Sequence, residues 1–238
     1  MFKIVKKRML AENICLMDVE APRVARSARP GQFVIVRVDE RGERVPLTIC
    51  DYDTDGGTVT IVTQVVGASS ARICALEEGE YIANFVGPLG RPSEFVYENI
   101  EQLRGKRIMF IAGGLGTAPV YPQVKWLAEQ GVKADVIVGA KSKNLLIMQD
   151  EMRAVAGNLY VATDDGSEGF HGLVTQLFEK LVSEGKNYDV VVAIGPMIMM
   201  KFVCLTTAKY GIKTIVSLNS LMVDGTGMCG ACRVTVGG

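Results

Sequence analysis

The clearest indication of the fold is the segment Arg107-Ile-Met-Phe-Ile-Ala-Gly-Gly-Leu-Gly-Thr-Ala-Pro119. An apolar run of strand length leads into a glycine-rich loop, and a helical apolar pattern follows. In an open α/β sheet, such a loop presents backbone N–H groups at a helix N-terminus, where a pyrophosphate binds. A tight turn without a ligand is the alternative, because Pro119 stands where the usual third glycine would be. The candidate binding residues are Gly113, Gly114, Leu115, Gly116 and Thr117.

Strands and helices continue to alternate on the C-terminal side of this loop. The pattern predicts a five-stranded parallel, doubly wound nucleotide-binding domain over residues 99–218. Its strands are expected at residues 107–112, 134–139, 159–163, 190–194 and 214–218. Ligands of such sheets bind at the carboxyl ends of the strands. The residues that follow the third and fourth strands are therefore further candidates for the same site: Asp164, Gly195, Pro196 and Met197.

The end of the second strand bears on the choice of dinucleotide. It is followed by Lys141 and Lys143, and no acidic residue stands where a ribose 2′-hydroxyl is usually selected. The two lysines could tolerate a 2′-phosphate, although solvated surface lysines are the simpler interpretation. This region therefore leaves NAD(H) and NADP(H) open.

The first part of the chain has a different pattern. Short β-branched and aromatic runs, separated by turn residues, predict an antiparallel six-stranded barrel over residues 1–98. The strands are expected at residues 4–10, 14–19, 33–38, 47–52, 59–65 and 81–85, with one helical insert at 69–76. The N-terminus of that insert carries two hydroxyls and can hold a second pyrophosphate, although either serine alone would pass as a helix cap.

The C-terminal segment, residues 219–238, contains a candidate metal-binding loop. Asp224, Cys229 and Cys232 follow the plant-type iron–sulfur spacing C-x4-C-x2-C, with a carboxylate at the first position. The alternative is that Asp224 only caps a turn. The chain as written offers no fourth ligand nearby, since Cys204 lies in an apolar helix. We expect the natural protein to continue beyond Gly238 and to supply a cysteine there.

Composition narrows the functional class. Lys and Arg number 26 and so do Asp and Glu, which argues against a nucleic-acid partner. No apolar run is long enough to span a bilayer, and no signal segment begins the chain, so a cytoplasmic protein is expected. Cys15, Cys50, Cys74 and Cys204 are interpreted as isolated, buried small hydrophobic residues. A single histidine, His171, excludes most chemistry that needs a histidine pair.

Together these features resemble the ferredoxin–NADP⁺ reductase superfamily across essentially the whole chain. The resemblance rests on four segments in order: Pro46-Leu-Thr48, Gly67-Ala-Ser-Ser70, Gly113-Gly-Leu-Gly116 and Cys229-Gly-Ala-Cys232. The most similar branch is that of dihydroorotate dehydrogenase B electron-transfer subunits and their relatives. Those relatives include the small subunit of NADH-dependent reduced ferredoxin:NADP⁺ oxidoreductase, also called sulfide dehydrogenase. An aspartate at the first ligand position of the cluster resembles this last enzyme more than the dihydroorotate branch, in which all four ligands are cysteines.

The resemblance implies three cofactors. FAD is expected in the barrel, a nicotinamide nucleotide in the α/β domain and a 2Fe–2S cluster in the C-terminal loop. Asp224, Cys229 and Cys232 are the implied cluster ligands. The chain departs from the superfamily at Val45, where an arginine is common, so the neighbouring Arg44 is not assigned a role. The implied FAD-binding residues are Val45, Pro46, Leu47, Thr48, Val62, Thr63, Gln64, Ser69 and Ser70.

The resemblance also implies the function. The chain is expected to exchange a hydride between NAD(H) and the flavin and to pass single electrons to a larger flavoprotein and iron–sulfur subunit. No side chain is expected to be catalytic, because the flavin carries the chemistry. The alternatives are the electron-transfer subunit of dihydroorotate dehydrogenase B and a nucleotide-binding sensor module without turnover.

Overall fold

A computed structural model describes residues 1–235 of the chain. The chain forms two compact units. The barrel unit consists of Met1–Ser93 together with residues 218–235, and the sheet unit consists of Glu94–Ser217. Within the described residues, no helix combines the length and apolar content that crossing a bilayer requires.

The barrel unit is built on a seven-stranded antiparallel sheet. Its strand order is β6-β1-β2-β5-β4-β3-β7, and two short helices accompany it. The strands are β1 (Phe2–Ala11), β2 (Ile14–Glu20), β3 (Phe33–Arg37), β4 (Val45–Asp53), β5 (Thr58–Gln64), β6 (Tyr81–Ile82) and β7 (Asn84–Leu89), and the helices are α1 (Pro22–Ser27) and α2 (Ala68–Ala75).

The prediction of six strands is wrong by one, because the last predicted strand is two strands. β6 pairs with β1, whereas β7 pairs with β3 at the other end of the sheet. The chain changes partner at Ala83, whose N–H donates to the carbonyl of Val38. A continuous run of strand-forming residues cannot reveal such a change of partner, because β propensity reports no pairing.

The side chains on one face of these strands form a common core. Ile4, Met17, Val36 and Ile61 are each fully buried in it. Residues of an extended strand alternate between faces, so one stripe of side chains fills the interior. The sequence analysis missed α1, since its six residues are too few to show a helical period.

The sheet unit holds six parallel strands in the order β11-β10-β9-β8-β12-β13. The parallel, doubly wound prediction is confirmed, but the expected count of five is wrong. The additional strand, β11, is only two residues long and pairs with β10. The strands are β8 (Ile108–Gly113), β9 (Asp135–Ala140), β10 (Leu159–Thr163), β11 (Phe170–His171), β12 (Val190–Ile194) and β13 (Lys213–Val216), and the helices are α3 (Ile100–Arg104), α4 (Thr117–Glu129), α5 (Gln149–Val155), α6 (Val174–Ser183) and α7 (Met197–Ala208).

Two separate cores cover the two faces of this sheet. Val124 of α4 and Met152 of α5 belong to one core, while Phe178 of α6 and Val203 of α7 belong to the other. β8 is buried along its whole length, as expected of a central strand covered on both sides.

The strand order contains a reversal beside β8. From β8 the chain moves outward through β9, β10 and β11, and it then returns to β12 on the opposite side of β8. The carboxyl ends of β8 and β12 are therefore neighbours at the switch point of the sheet. In open α/β sheets this is the place where ligands bind.

Candidate functional site

The glycine loop, residues 113–117, joins β8 to α4 at the switch point. Gly114–Gly116 forms one 3₁₀ turn that runs into the helix, and Gly114 adopts a left-handed φ of 53°. Thr117 is fully buried, and its hydroxyl donates to the carbonyl of Gly114 at 3.0 Å. Gly114 and Leu115 are half-buried. The N–H groups of the first turn of a helix have no intrahelical acceptor, so this end of α4 favours an anion.

The turn after β12 packs directly against the glycine loop. A Cβ added to Gly195 would lie 3.0 Å from the backbone nitrogen of Gly113. A Cβ on Gly116 would overlap the carbonyl of Ile194, whereas a Cβ on Gly114 would meet nothing within 4 Å. Gly116 and Gly195 are therefore needed for backbone packing between the two turns, while Gly113 makes room for the side chains of Pro196 and Met199. Gly114 is the glycine of the loop that faces open space.

Replacing Gly116 by valine should destabilise the sheet unit. The φ of Gly116 is −59°, which suits any residue, so the cost comes from the overlap with Ile194. We expect a loss of at least about 3 kcal/mol in the free energy of unfolding, measured by urea denaturation. Gly105→Val is the matched control, since its added Cβ would lie 3.6 Å from the nearest atom, at an ordinary contact distance. Wild-type stability of Gly116→Val would contradict this packing.

The carboxyl ends of β9 and β10 continue the same edge of the sheet. Asp164 is exposed there, and its N–H donates to the carbonyl of Ala140 at 3.1 Å. The neighbouring Asp165 accepts hydrogen bonds from the hydroxyl and the N–H of Ser167, which lower the pKa of its carboxyl. The structure therefore brings the predicted residues Gly113–Thr117, Asp164 and Gly195–Met197 to one edge.

Two residues at this edge were missed by the sequence analysis. Ser167 accepts a hydrogen bond from the backbone N–H of Lys143 at 2.7 Å, and Glu168 pairs with the Lys143 ammonium at 3.4 Å. These contacts cross between loops that are distant in the chain, so only the negative charge near Asp164 could have suggested them. Glu168 offsets the positive charge of Lys143, while Lys141 is exposed.

The candidate flavin residues flank a split in the barrel sheet. The pairing of β4 with β5 ends at Ile49 and Ile61. Beyond that pair, residues 45–48 stay hydrogen-bonded to β3, and residues 62–64 stay hydrogen-bonded to β2. The two strands therefore separate, with Val45, Pro46, Leu47 and Thr48 on one side and Val62, Thr63 and Gln64 on the other.

Successive side chains of β5 lie on opposite faces of the sheet at this split. Thr63 is buried and lies on the core face together with Ile61, whereas Val62 and Gln64 lie on the opposite face. The hydroxyl of Thr63 is a buried polar atom without a hydrogen-bond partner among residues 1–235. Val62 and Gln64, and not Thr63, are therefore the residues of β5 whose side chains can contact a ligand in the split.

The two serines of α2 have different surroundings. The Ser70 hydroxyl accepts from the N–H groups of Val66 and Gly67 at 2.9 and 3.0 Å, so it closes the helix N-terminus as a cap. The Ser69 hydroxyl instead donates to the carboxylate of Glu43. This carboxylate is an anion held beside a helix N-terminus, and it stands in for the phosphate oxygens that such an end attracts. The residues at α2 thus fit a pyrophosphate, with Ser69 as its hydroxyl donor.

The C-terminal loop is wound tightly around Asp224. Its carboxylate accepts from the N–H of Thr226 at 3.0 Å and from the N–H of Cys229 at 3.1 Å. Gly225, Gly227 and Gly230 all have positive φ values, which permit the winding. The hydrogen bond from the Thr226 N–H and, to a smaller extent, that from the Cys229 N–H lower the pKa of Asp224 to about 2. The carboxyl is therefore ionised at neutral pH, which is the form that a metal ligand requires.

The two cysteines of the loop are exposed. The sulfur of Cys229 accepts from the N–H of Ala231 at 3.5 Å, a type of contact that tunes iron–sulfur sites. Among residues 1–235, no three His, Cys, Asp or Glu side chains converge as a ready metal site. The loop therefore presents two thiols and one carboxylate that suit a 2Fe–2S cluster chemically, but it does not bring them together as a closed ligand set.

Comparison with known proteins agrees with this arrangement. Residues 110–205 match the family model of the oxidoreductase NAD-binding domain. The electron transfer subunit homolog of dihydroorotate dehydrogenase B (NAD⁺) from Thermotoga maritima is 45% identical over 236 residues, which cover 99% of this chain and 80% of that protein. The electron transfer subunit from Geobacillus thermodenitrificans is 32% identical over 238 residues, covering 99% and 88%.

A solved structure supports the same relationship. It is that of the NADH-dependent reduced ferredoxin-NADP oxidoreductase, which was studied for flavin-based electron bifurcation. The two structures superpose with a TM-score of 0.87 at 42% identity, covering 98% of this chain and 82% of the other. The chain belongs to the dihydroorotate dehydrogenase B type of electron-transfer subunits, within the ferredoxin–NADP⁺ reductase superfamily.

Proposed function

We propose that the chain is the NAD(H)-dependent electron-transfer subunit of a heteromeric oxidoreductase and that it holds FAD, a nicotinamide nucleotide and a 2Fe–2S cluster. The observation that carries the proposal is the meeting of the glycine loop with Gly195–Met197 at the switch point. When bound, FAD exchanges a hydride with NAD(H), and the cluster transfers single electrons to or from a partner subunit.

In the sheet unit, the residues of the chain position the nucleotide. The N-terminal end of α4 and the backbone of Gly114 and Leu115 bind its pyrophosphate, and the turn Gly195–Met197 borders the same crevice. Asp164 lies at the neighbouring strand end. We favour NAD(H) over NADP(H), because Glu168 already pairs with the Lys143 ammonium, which leaves that lysine less able to attract a 2′-phosphate.

In the barrel unit, two separate features hold FAD. The split between β4 and β5 takes the ring system and ribityl chain, with Val45–Thr48 and Val62–Gln64 as its walls. Ser69 at the N-terminus of α2 donates to the pyrophosphate, which replaces Glu43 as the acceptor. Ser70 maintains the helix end on which this site depends.

The partner is a larger flavoprotein with iron–sulfur clusters. Asp224 in the first cluster position, together with 42% identity to the ferredoxin-NADP oxidoreductase structure, favours that type of complex. The second candidate is a dihydroorotate dehydrogenase, which the 45% identity to the Thermotoga maritima homolog supports. The tagged protein, isolated from its own host, should copurify with the partner, and dihydroorotate oxidation by the complex would select the second candidate.

Anaerobic addition of NADH tests the proposed function directly. We expect the purified protein to carry about one FAD per chain and its flavin absorbance to bleach with NADH at least about tenfold faster than with NADPH. Absence of FAD from the heat-denatured supernatant would contradict the flavin site. FAD that is present but not reduced by either nucleotide would instead indicate a binding module without turnover.

A further inference from the structure

Two buried cysteines of the barrel unit lie in direct contact. Cys15 on β2 and Cys74 on α2 are 59 positions apart in the chain, and their sulfur atoms are 2.7 Å apart. A disulfide bond measures about 2.05 Å, so the two atoms need to approach by only about 0.6 Å to bond. Both residues are buried in the hydrophobic core, as the sequence predicts, but they are not isolated from each other.

The pair lies in the hydrophobic core of the barrel unit, with a few polar atoms beside it. Cys15 lies opposite Thr63 in the pairing of β2 with β5, and the sulfur of Cys74 donates to the carbonyl of Thr63 at 3.4 Å. The hydroxyl of Thr63 is buried and without a hydrogen-bond partner among the described residues. Lys7, whose side chain is largely buried, adds a positive charge nearby, which its ion pair with Glu77 at 2.7 Å partly offsets. Packing alone would be served by alanine or valine at both cysteines.

The two thiols are chemically unequal. The hydrogen bond that Cys15 donates to Cys74 lowers the pKa of Cys74 and raises the pKa of Cys15, and the Lys7 ammonium further lowers that of Cys74. Cys15 is fully buried, whereas Cys74 retains 9% of its surface on an outer helix. A more acidic and more accessible thiol beside a buried one matches the attacking and resolving cysteines of redox-sensitive pairs.

We propose that Cys15 and Cys74 form a reversible disulfide when the protein meets a hydroperoxide. The Cys74 thiolate attacks one peroxide oxygen, the O–O bond breaks, and one water leaves after protonation. The Cys74 sulfenic acid is then attacked by the Cys15 sulfur, and a second water leaves with the Cys15 proton. Two thiols and one H₂O₂ thus yield one disulfide and two waters. A small dithiol reverses the reaction by exchange.

This bond would join two elements of the barrel unit, α2 and β2, by a covalent link. Cys74 belongs to α2, whose N-terminus carries Ser69 and Ser70, and Cys15 belongs to a central strand of the sheet. A crosslink that closes a long loop restricts the unfolded chain. We therefore expect oxidation to raise the melting temperature by at least about 3 °C. The inference does not depend on the proposed function.

Peptide mapping of the intact protein tests the proposal. The protein is treated with H₂O₂, remaining thiols are blocked with iodoacetamide in denaturant, and trypsin then places Cys15, Cys50 and Cys74 on three different peptides. We expect a linked pair of peptides, residues 9–23 with the peptide that begins at residue 73, which disappears after dithiothreitol. The Cys50 peptide should stay alkylated.

Two variants test which cysteines form the disulfide. In Cys15→Ala the linked peptide should be absent, and Cys74 should react with a dimedone probe for sulfenic acid. Cys50→Ala, which changes another buried cysteine of the same unit, should form the link as the wild type does. Recovery of Cys15 and Cys74 as alkylated thiols, while the exposed Cys229 and Cys232 are oxidised, would overturn the proposal. Crosslinking of Cys74 to any cysteine other than Cys15 would also overturn it.

Discussion

Replacing Gly114 by asparagine should abolish NADH-dependent flavin reduction while the FAD content stays unchanged. Gly114 has a left-handed φ of 53°, which asparagine tolerates better than other residues with side chains. A Cβ at this position would meet nothing within 4 Å, so the fold should accept it. The new side chain would extend into the space where we place the pyrophosphate. We expect at least about a hundredfold loss in the rate of anaerobic bleaching, because steric exclusion costs several kcal/mol of binding.

Gly211→Asn is the matched control for this variant. Gly211 lies in the same unit with a φ of 66°, and its added Cβ would also meet nothing within 4 Å. Both variants should unfold at similar urea concentrations, while only Gly114→Asn loses the reaction with NADH. Equal rates in the two variants would remove Gly114 from the nucleotide site and would leave the packing roles of Gly113 and Gly116 unaffected.

Substitutions at Asp224 should separate the role of a turn cap from that of a cluster ligand. Asparagine keeps one oxygen, which can accept from the N–H of Thr226 as Oδ1 does now, while its amide nitrogen replaces Oδ2, the acceptor of the Cys229 N–H. It lacks the negative charge that a ligand to ferric iron supplies. We therefore expect Asp224→Asn to lose most of the iron of the natural protein. Asp224→Cys should retain the cluster at a lower reduction potential, since thiolate donates more charge.

Iron content and an electron paramagnetic resonance redox titration measure these effects. Asp53→Asn is the matched control, because the Asp53 carboxylate accepts from the N–H groups of Asp55 and Gly56 at 2.9 Å in a similar turn outside the loop. Cys229→Ser and Cys232→Ser should each lose the cluster. If iron content and reduction potential are unchanged in Asp224→Asn, Asp224 is only a turn residue. Its identity would then no longer favour a complex of the ferredoxin-NADP oxidoreductase type.

The class of each unit and the positions of the main elements could be predicted from the amino-acid sequence alone. The apolar run at residues 107–112 and the glycines after it predict a strand and a helix that the structure places at Ile108–Gly113 and Thr117–Glu129. These features are local, because strand and helix periods and the backbone freedom of glycine act within a few residues. The edge of the sheet at which we propose the nucleotide site could also be predicted, because the carboxyl ends of parallel strands lie at one edge.

Contacts between residues that are distant in the chain could be identified only from the three-dimensional structure. The contact of Gly113 with Gly195, the different surroundings of Ser69 and Ser70, and the Cys15–Cys74 pair all depend on partners far away in the chain. Strand propensity does not specify a pairing partner, so the division of residues 81–89 between β6 and β7 was equally hidden. The sequence assigns Gly116 to ligand binding, but in the structure its missing Cβ makes room for the backbone of Ile194. A glycine in a sequence cannot distinguish these two roles, because a missing Cβ makes room equally for a phosphate or for a neighbouring backbone.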